Sequence, residues 1–382
     1  MKIAYVTAFY YPTIGGVEQV VKELAERYAK EGHEVHVFTS DWDKNKRIKV
    51  KEETINGVKV HRHYHILRAG KFGVLFPSLL WTLSKYKFDI IHTHVSGHAH
   101  TFIGSLIAKI KNTPLIHTTH CPWTDNFRTF TAQTLVNLSY KTFNKLSFRW
   151  SDKIIAITPW EIPFIIKYGG NKEKIVTIPN GVDNIFFKKV KVNNFKKQLN
   201  IKEQLVLFFG RLNATKGPDK FVLAAKEILK ENKKIKFLIV GPDEGMLNKV
   251  KELSKDEKNI IILGPERNKE KLPEIYQSAD VYVMPSFREG MPLTLLEAYA
   301  SGLPIVASPV NGIPFEMKSH ENGFFANYGD IQELKNKILL LLKNKKLSNQ
   351  ISKNNIEKAK NYSWDSIAER TLNLYKQVIN KK

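Results

Sequence analysis

Two cations and two carboxylates carry most of the chemistry that this sequence can do. Gly210-Arg211-Leu212 ends an apolar run, Leu205 to Phe209, and Lys216-Gly217-Pro218 follows closely before a helix. Arginine offers a planar fork for phosphate oxygens and lysine a movable point charge, so the pair suits a diphosphate leaving group. In a dry site, each such donor is worth ~3 kcal/mol of charge stabilisation. Farther along, Glu289-Gly290-Met291-Pro292-Leu293-Thr294-Leu295-Leu296-Glu297 follows an apolar strand ending at Met284. Pro292 suits the first helical position. That leaves Glu289 in the loop, the amides of Gly290 and Met291 at the helix start, and Glu297 in the second turn. A carboxylate placed there accepts two hydrogen bonds from a ribose diol, as in dinucleotide folds, and Glu289 then lies near a sugar. Taken singly, either glutamate reads as an ordinary exposed helix residue, and the cations read as a solvated basic loop.

The elements that must position these groups are legible as alternation. In the first half, Ile3 to Thr7, Glu34 to Thr39, Asp89 to His92, Pro114 to Thr118, Ile154 to Thr158 and Ile175 to Ile178 read as strands, and Val17 to Glu31 as a helix. After a polar stretch, Leu205 to Phe209, Lys236 to Val240, Asn259 to Leu263, Val281 to Met284 and Pro304 to Ala307 repeat the pattern, with helices such as Asp219 to Lys230. Strand–helix alternation predicts parallel sheets with crossover helices. The boundaries expected are a first domain over 1–187, a linker over 188–203, a second domain over 204–361 and a closing helix over 362–382. Ligands bind beyond the carboxyl ends of such strands, so two facing domains would enclose one cleft. Gly15-Gly16-Val17-Glu18 opens the first helix, whose amides suit a phosphate.

Composition narrows the class. A chain of 382 residues with 42% hydrophobic content buries a core in about two domains. One cysteine, Cys121, excludes an intrachain disulfide and a multi-cysteine zinc site, which fits a reducing, cytoplasmic setting. No export signal opens the sequence. The greasy stretch Phe72 to Leu83 is interrupted by Gly73, Pro77 and Ser78 and is too short to cross a bilayer. The net charge of +23 favours phosphates, anionic lipid or nucleic acid. It is spread over both halves, whereas a nucleic-acid module concentrates it.

Other features carry weaker suggestions. His92, His94, His98, His100, His117 and His120 gather near strand ends, but no carboxylate or cysteine set completes a metal site; His94 and His98 read as acceptor contacts. Asp41-Trp42-Asp43 resembles a metal-binding aspartate pair in the wrong context, and Cys121 reads as a small inert residue. From Trp123 to Trp150, aromatic residues including Phe127, Phe130, Tyr140, Phe143 and Phe148 interleave with Arg128, Lys141, Lys145 and Arg149. Such a segment is either a helical core with basic edges or a peripheral dock on an anionic membrane.

In order, the chain carries Gly15-Gly16-Val17-Glu18, His92-Thr93-His94, Thr118-Thr119-His120, Ile178-Pro179-Asn180-Gly181-Val182-Asp183, Gly210-Arg211-Leu212 with Lys216-Gly217, Val240-Gly241-Pro242, Glu289 to Glu297, and Tyr362-Ser363-Trp364. Over essentially its whole length it thereby resembles glycosyltransferase family 4, the retaining enzymes of GT-B fold. That resemblance implies two facing Rossmann-like, doubly wound α/β domains with an interdomain cleft, and a last helix that crosses back to the first domain. It implies that Arg211 and Lys216 hold the diphosphate of a UDP- or GDP-sugar and Glu297 its ribose. Glu289 with Gly290, Met291, Pro292 and Leu293 would bind the donor sugar, Gly16 would meet the distal phosphate, and His120 would line the sugar pocket. Gly15, His94 and His98 fall on the acceptor side. Transfer would go to a glycan or lipid-linked hydroxyl with retention, through front-face attack without a covalent nucleophile, and without cofactor or obligatory metal.

Competing classes remain at this level. A sugar-nucleotide epimerase or a phosphorylase uses the same kind of fold, and a basic membrane-surface or nucleic-acid-binding protein could keep the fold alone. The intact set of donor residues favours the transferase, with no nucleic-acid partner.

Overall fold

Short β-branched and aromatic runs, each followed by an amphipathic stretch, build two separate parallel sheets. The computed structural model describes the chain apart from Ile14, Lys44, residues 70–72, 121–122 and 124–128, Lys382, and the side chains of Ala69, Ala132 and Asn193. Two units result: Met1–Asn180 with Trp364–Lys382, and Gly181–Ser363.

The first unit contains strands β1 (Lys2–Val6), β2 (Glu34–Ser40), β3 (Glu52–Ile55), β4 (Val58–His63), β5 (Leu67–Ala69), β6 (Gly73–Leu75), β7 (Ile90–His94), β8 (Leu115–Thr118), β9 (Lys153–Ala156) and β10 (Ile175–Thr177). Its main sheet runs β10-β9-β8-β7-β1-β2-β4-β3. Only the β3–β4 pair in it is antiparallel. That hairpin turns on Asn56 and Gly57, with φ of 49° and 83°, the left-handed pair that a two-residue turn demands. The strand reading above missed it, although Asn-Gly between alternating residues is a strong hairpin signal. The helices are α1 (Gly16–Lys30), α2 (Leu79–Ser84), α3 (Ala99–Ile110), α4 (Phe130–Ser139), which runs through a π-helical turn (Tyr140–Asn144) into α5 (Lys145–Trp150), and α6 (Ile162–Lys167).

The second unit contains β11 (Gln204–Phe209), β12 (Ile235–Val240), β13 (Ile260–Leu263), β14 (Val281–Met284), β15 (Ile305–Ala307) and β16 (Gly323–Phe325). All are parallel in the order β13-β12-β11-β14-β15-β16. Counted from its own first strand, this is the doubly wound order 3-2-1-4-5-6. Its helices are α7 (Asn193–Gln198), α8 (Pro218–Glu231), α9 (Leu247–Ser254), α10 (Leu272–Gln277), α11 (Leu293–Ala300), α12 (Ile313–Glu316), α13 (Ile331–Lys343) and α14 (Lys345–Ala359). Val206, Phe208, Phe221, Phe237, Ile239 and Val283 sit wholly or almost wholly buried in its core, each stabilising the fold by ~1.5–3 kcal/mol.

The stretch 188–203, which reads as a linker, is fixed to this unit instead. Gln277 donates to the Lys188 carbonyl at 2.7 Å and accepts from the Val190 amide at 3.1 Å, and Ile201 is buried. The second unit also begins at Gly181, earlier than the sequence boundary of 187, because Val182 bonds to Tyr362 and Phe186 packs on Tyr276.

Helix α15 (Trp364–Ile379) returns to the first unit. Its buried face, including Trp364, Ile367, Ala368 and Leu374, packs along α1. The Tyr28 hydroxyl donates to the Ala368 carbonyl at 2.8 Å, and the Tyr5 and Tyr375 hydroxyls meet at 2.9 Å.

One glycine fixes how closely β11 and β12 end together. Gly241 has φ 152°, and a Cβ there would stand 1.9 Å from the Gly210 carbonyl oxygen. Gly241→Ala is expected to lower stability in urea unfolding by at least ~2 kcal/mol through strain and overlap.

Candidate functional site

In the second unit, β11 and β14 are neighbours from which the chain winds outward in opposite directions, so the loops leaving their carboxyl ends diverge and open a crevice. Arg211 and Lys216 follow β11, and Glu289 follows β14. Lys216 lies on a single 3-10 turn, Ala214–Lys216, capped by the Asn213 side chain. Gly217 then adopts φ 66°, and a Cβ there would fall 2.1 Å from the Pro285 carbonyl oxygen. Only glycine lets the Lys216 loop approach the loop after β14 this closely.

The result is an ion pair. Lys216 Nζ lies 2.5 Å from Glu289 Oε1, and Ser286 Oγ donates to the same oxygen at 2.8 Å. Burial pushes the Lys216 ammonium below its usual value, while Glu289 pulls it up and the positive Arg211 and Arg288 push it down. Arg211 is held by Glu244 at 2.9 Å, and Asn213 donates to that same carboxylate. Glu244, Ser286 and Asn311, whose side chain accepts from the Glu289 amide, went unread in the sequence. Ser286 had a signal, since it lies two residues beyond the end of β14; Glu244 and Asn311 had none.

Pro292 is the N-cap of α11 rather than its first helical residue, with φ −71° and ψ 133°. Gly290 and Met291 precede that cap, Leu293 opens the helix, and Glu297 lies in the second turn. Glu297 accepts a hydrogen bond from the Tyr276 hydroxyl at 2.6 Å. Its carboxyl is pushed up to about 7, mainly by burial. Tyr276 comes from α10, so no local pattern announced it. The Tyr282 hydroxyl donates to the Phe209 carbonyl; burial opposes its ionisation, and Glu289 and Glu297 add to that effect.

The first unit has its own point of divergence, between β1 and β7. Gly15 is extended, and Gly16 starts α1. A Cβ on Gly16 would meet nothing within 4 Å, so packing does not require glycine there. His94 ends β7 and His120 follows β8. Their rings stack at 5.2 Å with His94 Nδ1 3.1 Å from His120 Nε2. His94 is fully buried, so the direct acceptor contact expected of it gives way to a contact with His120. His98 caps α3 and is half-buried.

Of the remaining histidines of this group, His92 and His117 are built into the sheet and His100 lies on α3. His92 joins the Tyr375 hydroxyl at 2.6 Å and Thr118 at 2.7 Å, and His117 joins Thr93 and Ser96. Burial holds His100, His117 and His120 down to about 3, so these rings are neutral and act as hydrogen-bonding groups. A cavity of about 20 Å³, room for about one water, is lined by His92, His94, Thr118, His120 and Asn180 among others. Among the described residues, no cluster of three or more His, Cys, Asp or Glu is placed to hold a metal ion.

Asp41 is buried against His65 and Arg47, and Asp43 caps the turn that follows it. Cys121, Phe127 and Arg128 lie outside the described residues. The rest of the aromatic segment divides in two: Trp123, Tyr140 and Phe148 pack with Ile165 in a core, whereas Phe130, Leu135, Leu138 and Phe143 are 87, 68, 57 and 50% exposed. No described helix is long and apolar enough to cross a membrane.

Comparison with known proteins agrees with this geometry. The family model described as Glycosyltransferase Family 4 matches residues 14–184, and the one described as Glycosyl transferases group 1 matches residues 190–358. The chain is 32% identical, over 72% of each sequence, to the UDP-Gal:alpha-D-GlcNAc-diphosphoundecaprenol alpha-1,3-galactosyltransferase of Escherichia coli. It is 27% identical, over 100% of itself and 99% of the relative, to an uncharacterized glycosyltransferase of Methanocaldococcus jannaschii. Its fold superimposes on Anabaena HepE, solved in complex with UDP, with a TM-score of 0.79 at 20% identity, covering 99% of this chain and all of the other. The paired cations and carboxylates therefore stand in a GT-B enzyme, and the chain belongs to glycosyltransferase family 4.

Proposed function

We propose that this enzyme transfers a sugar from a UDP- or GDP-sugar to the hydroxyl of a lipid-linked or glycan acceptor, with retention at the anomeric carbon and without an obligatory metal. The observation that carries the reading is the Lys216–Glu289 pair at the β11–β14 divergence, with Arg211 on the loop after β11 and Glu297 on α11, the helix that follows the β14 loop. A diphosphate draws Arg211 and Lys216 away from Glu244 and Glu289 because it carries more charge than either carboxylate. Glu289, released from Lys216, accepts from the sugar hydroxyls beside the amides of Gly290 and Met291, with Pro292 and Leu293 shaping the turn. Glu297 grips the ribose diol. In the first unit we assign Gly16, where a Cβ would meet nothing within 4 Å, to a phosphate, and Gly15, His98 and His120 to the acceptor and sugar.

In the transfer itself, the bond from the anomeric carbon to the phosphate oxygen breaks as the acceptor oxygen bonds to the same face. The acceptor proton passes to the departing phosphate oxygen. Arg211 and Lys216 stabilise the charge that develops on the diphosphate, which is the largest electrostatic demand of the step. The UDP-linked donor and diphosphoundecaprenol acceptor in the name of the Escherichia coli relative support the choice of substrate classes.

We also assign the exposed stripe of Phe130, Leu135, Leu138 and Phe143, with Lys141 and Lys145 beside it, to peripheral docking on the cytoplasmic face of an anionic membrane. Rings at headgroup depth with flanking cations would bring a lipid-linked acceptor to the enzyme.

Four measurements test this reading. Arg211→Ala and Lys216→Ala should each lower turnover at least ~100-fold in protein whose circular dichroism shows it still folded, while EDTA leaves the parent enzyme unchanged; full activity in both variants removes the phosphate clamp. Because the Glu297 carboxyl is raised from 4.5 to about 7, it is neutral below that pH and cannot accept both ribose hydrogen bonds. The donor KM should therefore rise as pH falls from 8 to 6, and Glu297→Gln should flatten that dependence. The same raised value means that ionising Glu297 opposes folding as pH climbs from 4.5 to about 7, so Glu297→Gln should gain thermal midpoint at pH 8 and not at pH 4. Finally, the protein should float with anionic liposomes at physiological salt, and a Phe130→Asp, Phe143→Asp double variant should not.

A further inference from the structure

A buried carboxylate that no local pattern singles out binds residues on either side of His120 in the chain. Glu161 ends a short 3-10 turn, Pro159–Glu161, after β9, and is completely buried. Its Oε2 accepts from the Ile157 amide at 2.7 Å and from the Thr119 hydroxyl at 2.8 Å, and its Oε1 accepts from the Trp123 indole N–H at 3.1 Å. Thr119 and Trp123 bracket His120 in the chain. Both His120 and Trp123 have positive φ, 44° and 46°, in the left-handed region that non-glycine residues occupy at a cost of ~1–3 kcal/mol when the surroundings impose it. One carboxylate thus ties the end of β8, the end of β9 and Trp123.

The pinning continues through neighbouring groups. Thr119 bonds by its amide to the Ile155 carbonyl at 3.2 Å, and its carbonyl accepts from the Ser96 amide at 2.9 Å. The Trp123 ring stacks on Phe164 and Tyr168, with centroids 6.0 and 5.7 Å away. His120 meets His94 at 3.1 Å. Stability alone does not account for a carboxylate here, since apolar residues of similar volume often replace buried charges without loss. A carboxylate is, however, acceptor-only at both oxygens, and that is what a hydroxyl, an amide and an indole converging from three segments require.

We propose that Glu161 is a positioning residue for the transfer reaction: by binding both Thr119 and Trp123 it holds His120 in the left-handed conformation in which it meets the sugar. This rests on the placement of His120 in the site given above.

The test separates the two. In histidine-¹⁵N-labelled protein, the His120 signals are assigned by their loss in His120→Ala. Glu161→Gln, which puts an N–H where one acceptor stood, should shift or broaden those signals while leaving the distant His36 and His61 signals in place. In parallel, UDP release from UDP-glucose, UDP-galactose and UDP-N-acetylglucosamine is followed, using the donor the parent enzyme turns over. Glu161→Gln, Thr119→Val and Trp123→Phe should each lower kcat by roughly tenfold, the scale of one hydrogen bond to a charged group, with UDP affinity unchanged. Thr119→Ser, which keeps the hydroxyl, should restore it. Thr119→Val and Trp123→Phe decide the matter if Glu161→Gln fails to fold. Loss of activity in His120→Ala with normal kcat and unmoved His120 signals in the three variants would overturn the positioning role and leave the site reading intact. Full activity in His120→Ala would overturn both.

Discussion

A parallel sheet that winds outward in both directions from a central strand cannot close the gap between the two loops that diverge there. This constraint governs both units. In the second, the gap lies between β11 and β14 and receives Arg211, Lys216 and Glu289; in the first, it lies between β1 and β7 and receives Gly15, Gly16 and His94. Backbone approach makes the second gap specific, because Gly217 against Pro285 and Gly241 against Gly210 leave no room for a side chain. The chemistry is thereby carried by loops whose positions the sheet dictates.

Charge in that gap is balanced before any ligand arrives. Lys216 faces Glu289 and Arg211 faces Glu244, so neither cation is left buried without a counter-charge, which would be costly. In the reaction proposed above, a diphosphate enters by exchange, replacing carboxylates that become available to hydroxyl groups. Glu297 follows a different logic: surrounded by Tyr276 and other buried groups, it resists ionisation, and its carboxyl stands close to neutral pH. The first unit contributes buried polar groups, since burial holds His92, His94 and His120 below the usual histidine value.

The last helix is part of the same design. Tyr375 joins Tyr5 on the central strand and His92 on its neighbour, and His92 reaches Thr118 at the end of β8, the residue before the Thr119–His120 turn. The two ends of the chain thus share one buried hydrogen-bond network with the strand ends that carry the histidines. Such a network is demanding, because each buried polar group left unpaired would cost as much as a lost hydrogen bond.

Much of this was legible without coordinates. Alternating apolar runs specify parallel sheets because both faces of each strand are covered. Arg211, Lys216, Glu289 and Glu297 could be singled out because function at a strand end or helix start leaves a local imprint: a glycine, a cation, a proline at a helix start. The β3–β4 hairpin was readable from Asn56-Gly57 and was passed over because a parallel pattern was expected throughout. What the sequence could not supply was partnership across distance. Glu244 on Arg211, Tyr276 on Glu297, Gln277 on the stretch 188–203 and Glu161 on Thr119 and Trp123 join segments that are local neighbours only after folding. Whether a histidine such as His94 faces solvent or lies sealed beneath its neighbour also depends on packing from several elements at once. The sequence by itself therefore determined the fold and the kinds of chemical group at the strand ends, because these follow from local periodicity and residue type. The tertiary structure alone decided which groups are paired, buried or neutral, because desolvation and hydrogen bonding depend on atoms brought together from far apart in the chain.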